Sequence, residues 1–193
     1  MSRPVEYDRE FVLAQATQSF WEKGFSATSM SDLVDATGLK PGSLYGAFHS
    51  KEALFLDAID YYGNRSVAVV GDILNNASTP IEGVRVCIIR IGKELTSHDK
   101  DHGCFLVNSA MELSGRNPLV KQHVKRHMDS IETLFKNALS EAKKAGELSP
   151  DKDPKSLAAF LMAGIWGLRV MGETDPMSNR VDAVVKTIIS VLA

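Results

Sequence analysis

Residues 24–54 read GFSATSMSDLVDATGLKPGSLYGAFHSKEAL, and this stretch decides the fold. Ser29 stands where a helix N-cap belongs, with Asp32 three residues on to answer it. Leu33, Val34 and Ala36 then fall on one inward side. Gly38 supplies the left-handed conformation that ends a helix, and Pro41 restarts one at its first position within three residues. Two short helices joined by a tight glycine turn form a helix-turn-helix, whose second helix can enter a DNA major groove. Leu44 and Phe48 are spaced to face the core of that unit rather than the groove.

Upstream, Phe11, Val12, Ala16, Phe20 and Trp21 form an apolar helical stripe, with Gly24 placed to end it. Downstream, the pairs Thr79-Pro80, Asn117-Pro118 and Asp153-Pro154 each set a strong N-cap residue before proline at the first helical position. The spacing predicts helices over 8–23, 30–36, 41–48, 51–76, 80–97, 104–114, 118–145, 154–172 and 178–192, with almost no period-2 alternation. The expected fold is all-α with about nine helices. Residues 1–50 form a three-helix DNA-binding head, and residues 51–193 form a larger helical body.

Composition bounds the function classes. The chain has 193 residues, 22 Lys+Arg against 24 Asp+Glu, and a formal net charge of −2. An apolar fraction of 44% is ordinary for a globular chain and argues against disorder. No apolar run approaches the roughly 20 residues of a membrane span, and the start has no signal-peptide pattern, so a cytoplasmic protein without membrane contact is expected. The two cysteines, Cys87 and Cys104, are expected to be reduced thiols. Net acidity is adverse to nucleic acid, whose phosphates reward positive charge. Yet Ala36–Lys51 contains no acid and holds Lys40, His49 and Lys51. Thr28 and Ser29, beside a helix N-terminus, can take a phosphate through hydroxyl and backbone N–H groups.

Gly24–Met30, Leu33-Val34, Thr37-Gly38-Leu39 and Gly42–Leu54 together resemble the TetR family of bacterial transcriptional regulators. The resemblance is dense from about Phe11 to Leu54. It implies a DNA-binding head and a body that binds a small-molecule effector and forms a homodimer on a palindromic double-stranded operator, without a cofactor. By the same resemblance Tyr45 and Lys51 contact phosphates, His49 fits a further phosphate contact, and Thr28 anchors the helix before the recognition helix. Lys40, Pro41, Gly42 and Ser43 face base edges. Many relatives carry bulkier side chains where this chain has Gly46 and Ala47; Ala47 can still meet a thymine methyl.

In the body, Leu157–Leu168 is apolar almost all round, as a helix buried or shared between subunits must be. Leu161, Gly164, Ile165 and Leu168, with Val185 and Ile188 of the last helix, are the expected dimer face. Tyr62, Ile88, Phe105, Asn108, Met111, Met128 and Phe135, with Cys104, are the expected lining of an effector cavity. Cys104, at a helix start, fits either a small packing residue or a thiol sensor of oxidants and electrophiles. His123 and His127 stand one turn apart, and His98, Asp99, Asp101, His102 and Cys104 lie close in sequence, but neither set closes a metal motif. Nucleophile elbow, phosphate loop and HExxH helix are all missing, so no enzyme is expected. A helical adaptor that does not bind DNA would leave the charge pattern of 36–51 unexplained.

Overall fold

The computed structural model describes residues 7–96, 103–174 and 179–193, the side chains of 173–174 excepted. Among these residues every regular element is an α-helix. The order is α1 (Arg9–Ala27), α2 (Met30–Thr37), α3 (Pro41–Phe48), α4 (Lys51–Asn76), α5 (Pro80–Thr96), α6 (Phe105–Leu113), α7 (Pro118–Lys144), α8 (Pro154–Thr174) and α9 (Asn179–Ser190).

The helix starts are the ones the caps demand. Asp8 accepts from the N–H groups of Glu10 and Phe11, Ser50 from Ala53, and Asn117 from Leu119 and Val120. Ser29 and Asp32 form a reciprocal capping box at α2, and α2 closes on Gly38 with φ 69°. α1 runs past its expected end. Gly24 has φ 77° and ψ 166°, so the helix kinks there and Phe25–Ala27 form one further turn. Only glycine adopts that conformation without strain.

α1, α2 and α3 close over Val12, Ala16, Phe20, Leu33, Leu44 and Phe48, all buried. α4 carries this core onward through Leu54, Phe55 and Ala58. Aromatic rings then bridge to the body. Phe55 packs edge-on against Phe20 of α1 at 4.9 Å and against Phe105 of α6 at 5.7 Å. Tyr62 meets both Trp21 and Phe105 in the same manner, at 5.1 and 5.7 Å. Such pairs contribute about 0.5–1.5 kcal/mol each beyond the area they bury. α4 is thus held along its length by α1, α6 and α7.

The α4–α7 contact has a polar centre. A Cβ at Gly63 would lie 2.3 Å from the His127 ring, so only glycine lets α7 approach this closely. One turn earlier, Asp60 Oδ1 lies 2.9 Å from His127 Nε2 and 3.0 Å from His123 Nδ1, and it accepts from Arg126 as well. Burial pushes the Asp60 carboxyl up, but Arg126, His127 and His123 outweigh it and hold the group below its ordinary value. The two histidines therefore serve a carboxylate at a helix crossing. No group of three or more His, Cys, Asp or Glu side chains among the described residues is placed to hold a metal ion; His98, Asp99, Asp101 and His102 lie outside them.

Candidate functional site

α3 presents one solvent face and one core face. Lys40, Pro41, Gly42, Tyr45, Gly46 and His49 are exposed, Tyr45 to 48%, while Ser43 and Ala47 are half-buried. Leu44 and Phe48 point into the core. Lys40 makes no side-chain cap bond, and its carbonyl takes the N–H groups of Ser43 and Leu44 at 2.9 and 3.0 Å. The helix ends at His49, whose φ of 64° turns the chain sharply toward α4. The exposed side of α3 is therefore free of acids and projects one aromatic hydroxyl and one lysine.

Three of the expected phosphate groups make hydrogen bonds within the chain. Thr28 is 1% exposed, and its hydroxyl donates to the Gly24 carbonyl at 2.6 Å, tying the kink of α1 shut. Ser29 gives both its hydroxyl and its N–H to the Asp32 carboxylate, at 2.5 and 2.7 Å, and Lys23 reaches the same carboxylate at 2.6 Å. Bonds from Lys23 and then Ser29 hold the Asp32 carboxyl well below its ordinary value. The N-terminus of α2 thus already carries an anion of its own, which opposes a phosphate there. Lys51 donates to the carbonyls of Phe25 and Thr28, both at 2.8 Å, and its ammonium sits 4.3 Å from the centre of the Phe25 ring. Two of its three protons are committed within the chain.

A cavity of about 450 Å³ opens among α1, α4, α5, α7 and α8, with the start of α6 in its wall. Of the residues expected there, Tyr62, Cys104, Met128 and Phe135 line it. Phe105 and Asn108 instead face a second, smaller space of about 270 Å³ between α1 and α6. Ile88 is fully buried in the core. Met111 is 78% exposed and touches neither space: α6 turns Phe105, Ser109 and Glu112 inward at i, i+4 and i+7, which leaves Met111 to solvent.

The cavity also holds charges that sequence reasoning missed: Arg65, Arg90, Glu94 and Arg169. Glu94 is shared, with Arg90 Nε at 3.0 Å from one oxygen and Arg169 at 3.0 Å from the other. The Arg169 side chain is only 14% exposed. Burial lowers its pKa, but the thiol of Cys104, Tyr62 and Glu94 together more than restore it, so the guanidinium stays charged. An arginine between Leu168 and Val170 in an apolar helix was the available signal, since a charge there needs a buried partner. Tyr62 donates its hydroxyl to Cys104 Sγ at 3.9 Å, and burial, then Cys104, push that hydroxyl's pKa upward. Burial pushes the other thiol, Cys87, up to about 12.

The cavity and the head are joined through α6. Cys104, Leu106 and Val107 at its start line the cavity. Near its end Glu112 accepts from the N–H groups of Phe25 and Ser26, both at 2.9 Å, and from the Ser26 hydroxyl at 2.7 Å. The turn between α1 and α2 is therefore gripped from both sides, by Glu112 on its N–H groups and by Lys51 on its carbonyls. Burial raises the Glu112 carboxyl, but the bonds from Ser26 and Phe25 outweigh it and hold the group below its ordinary value.

The residues expected at a dimer face point the other way. Leu161, Ile165, Leu168, Val185 and Ile188 are buried within this one chain, and Gly164 packs on Ile188. α5 and α7 pack on α8 and α5 packs on α9, which claims those residues for the core. The opposite side of α8 is the exposed one. Ala159, Phe160, Ala163, Trp166, Gly167 and Val170 recur there at helical spacing without a charge, Trp166 at 45% exposure.

Residues 12–58 match the family described as bacterial regulatory proteins, tetR family, and residues 85–188 match the tetracyclin repressor-like C-terminal domain. The chain is 32% identical to the HTH-type transcriptional repressor ComR of Escherichia coli over 169 residues, 87% of this chain and 80% of ComR. It is 24% identical to the repressor DhaR of a Mycobacterium species, over 94% and 92% of the two chains. Among solved structures, a cysteine mutant of the TetR family transcriptional regulator CifR complexed with 26-base-pair operator DNA superposes with a TM-score of 0.87, at 28% identity over 99% of this chain and 100% of that one. The reduced form of E. coli NemR shares the fold with a TM-score of 0.88 at 18% identity, over 96% of each chain.

Proposed function

The chain belongs to the TetR family of bacterial regulators, and from that premise we propose that it is a homodimeric repressor released from a palindromic operator by a small-molecule effector. It is a DNA-binding transcriptional regulator of helix-turn-helix type, and it is not an enzyme. In the proposed division of labour, residues 1–50 read DNA, and residues 51–193 bind the effector and the second copy. Lys40, Ser43, Tyr45 and His49, with the backbone of Pro41 and Gly42 and the methyl of Ala47, meet the operator in the cytoplasm. Lys51 and Thr28 act behind them, holding the turn that aims α3.

The observation that carries this reading is the α6 connection. A ligand in the cavity touches the wall that α6 begins, and α6 ends on the carboxylate that holds the α1–α2 turn. A shift of α6 or α4 re-aims α3 relative to its partner copy, so the two recognition helices lose the spacing of successive major grooves. The effector must bind the DNA-incompetent arrangement more tightly, since equal affinity shifts nothing. A hundredfold loss of operator affinity needs about 2.7 kcal/mol of coupling.

The exposed apolar stripe of α8 supports the second copy as its cover. Ala163→Glu, at the centre of that stripe, is expected to give a monomeric mass at micromolar concentration and to abolish operator binding. A dimeric Ala163→Glu would remove α8 from the interface. The function itself is tested by a salt-controlled gel shift with DNA flanking the chain's own gene; equal affinity for that DNA and for random duplex would refute it.

A second reading has its own observation. Cys104 lines the cavity with a tyrosine hydroxyl on its sulfur and the charge of Arg169 within reach, an arrangement suited to a thiol that senses oxidants or electrophiles. Operator release by an electrophile that survives Cys104→Ser would dismiss it.

A further inference from the structure

Resting on the reading of the 450 Å³ cavity as the effector site, we propose that its ligand is a small organic anion: a largely apolar body carrying an acidic group that the cavity's arginines receive. The chain as a whole is net acidic, at −2. The described lining of the cavity runs against that sum, with Arg65, Arg90 and Arg169 facing a single acid, Glu94. One carboxylate is divided between two guanidiniums, Arg90 and Arg169, so that corner keeps a surplus positive charge. A guanidinium cannot shed its proton to relieve the surplus, as a buried lysine would. At the mouth, Arg65 is only loosely held. Its ion pair with Glu10 is 3.6 Å long between two well-exposed side chains, which stabilises little.

The neutral polar groups do not decide the ligand's charge, because most of them are engaged within the chain. Thr17 donates to Leu13 O, Ser66 to Tyr62 O, Gln18 to Glu22 and Tyr62 to Cys104. The hydroxyl protons of Thr17, Ser66 and Tyr62 and one of the two amide protons of Gln18 are thereby used within the chain. Tyr61 accepts from Arg65 at 3.1 Å and keeps its own proton to give. The charged donors in the described lining are the arginines, with the Tyr61 hydroxyl beside Arg65, a set that recognises an acceptor-rich, negatively charged group. Between them the wall is apolar, with Val70, Ile73, Ile91, Met128, Ile131 and Phe135. The volume falls within the roughly 300–1,000 Å³ of small-molecule sites.

Two dyes that share one ring system test the charge directly: 1-anilinonaphthalene-8-sulfonate, and N-phenyl-1-naphthylamine, which lacks the sulfonate. Their binding to the protein is followed by fluorescence. Removing the sulfonate makes the dye more apolar, so a preference for the anion must come from the protein. The sulfonate is expected to bind at least tenfold more tightly, about 1.4 kcal/mol. That preference should fall below threefold in the double variant Arg65→Gln, Arg90→Gln, whose two side chains are exposed enough to be replaced without unfolding. An arm that needs no variant is displacement of the bound dye, where 4-phenylbutyrate should act at a tenth or less of the concentration of 4-phenylbutan-1-ol. A neutral dye that binds as tightly, with the alcohol displacing as well as the acid, overturns the anion while leaving the cavity as the site. If neither dye binds, or if filling the cavity by Ile131→Trp leaves the binding of both unchanged in a protein that melts as the wild type does, the cavity reading fails and the proposal with it.

Discussion

Replacing Glu112 by glutamine separates the grip on the α1–α2 turn from everything else that α6 does. The carboxylate accepts two backbone N–H groups and one hydroxyl, at 2.9, 2.9 and 2.7 Å, from residues 86 and 87 positions away in sequence. Glutamine keeps the length and one acceptor oxygen, but it turns the other oxygen into an N–H₂ group facing N–H donors. Hydrogen bonds to an ionised group contribute about 1.5–3 kcal/mol net, and the half-buried position of Glu112 puts the loss at the lower end, about 1.5 kcal/mol. The pH dependence follows from the direction of the shift. The folded carboxyl lies below the ordinary 4.5. Its contribution is therefore complete above the unfolded value and is lost as pH falls through the folded one.

Urea unfolding of wild type and Glu112→Gln at equal protein concentration, from pH 7 down to the lowest pH at which both are folded, measures the difference. A gap of about 1.5 kcal/mol at pH 7 that narrows below pH 4.5 is expected. In gel shifts the variant should hold operator less tightly and lose part of its response to effector, because α6 no longer grips the head. A variant as stable as wild type at pH 7, or a gap that persists unchanged to the acid limit, would refute the assignment of the charge to this turn.

Other substitutions address other contacts. Gly63→Ala places a Cβ 2.3 Å from the His127 ring and should cost about 1–3 kcal/mol, read as a melting temperature lowered by several degrees; an unchanged melting curve would show that α7 moves freely there. Lys40→Ala with Tyr45→Ala should weaken specific and non-specific DNA binding alike and flatten the salt dependence, and unchanged affinities for both duplexes at matched salt would take α3 off the DNA. In native thiol labelling near pH 8, Cys104 should react well before Cys87, whose thiol is buried and raised to about 12; the reverse order would contradict the burial of Cys87.

What could be read from the sequence is what the chain encodes locally. N-caps, first-turn prolines and the 3.6-residue period are near-neighbour properties, so helix starts such as Pro41, Lys51, Pro118 and Pro154 are legible one residue at a time. The inward side of α3 is legible for the same reason, because Leu44 and Phe48 are its large apolar residues. α8 is different. A helix apolar all round carries no sign of which side the rest of the chain will cover, and α5, α7 and α9 took the side of Leu161, Ile165 and Leu168. Met111 failed as a cavity residue because a few positions on a short helix place the inward side only loosely. Glu112 and Asp60 could not be found, since their partners lie more than 60 residues away and nothing local names them. The bonds of Lys51 to the carbonyls of Phe25 and Thr28 could not be foreseen either, since backbone carbonyls of a folded turn leave no trace in side-chain identity.

The distribution of charge then acquires a physical account. Residues 1–62 hold nine acids against five basic residues, an unpromising balance for a module that approaches phosphates. In the fold seven of these acids have structural partners. Asp8 caps α1, Asp32 closes the capping box with Lys23 on it, and Asp57 pairs with Arg9. Glu10 meets Arg65, Glu22 accepts from Gln18, Glu52 from Asn117, and Asp60 from the side chains of α7. They stand on α1, α2 and α4 or at their starts, and none stands on α3. Acidity that serves caps and helix crossings does not oppose a DNA backbone laid along α3, whereas the same charges on α3 would. The lysines show the complementary economy, since Lys23, at the surface, and Lys51, half-buried, are both committed to contacts within the chain that hold the turns. That leaves Lys40 as the described lysine of the head exposed beside α3, so neutral donors such as Tyr45 must supply part of the affinity. With so few cations facing outward beside α3, the head is expected to bind random DNA weakly, so that specificity rests on a small number of well-placed contacts.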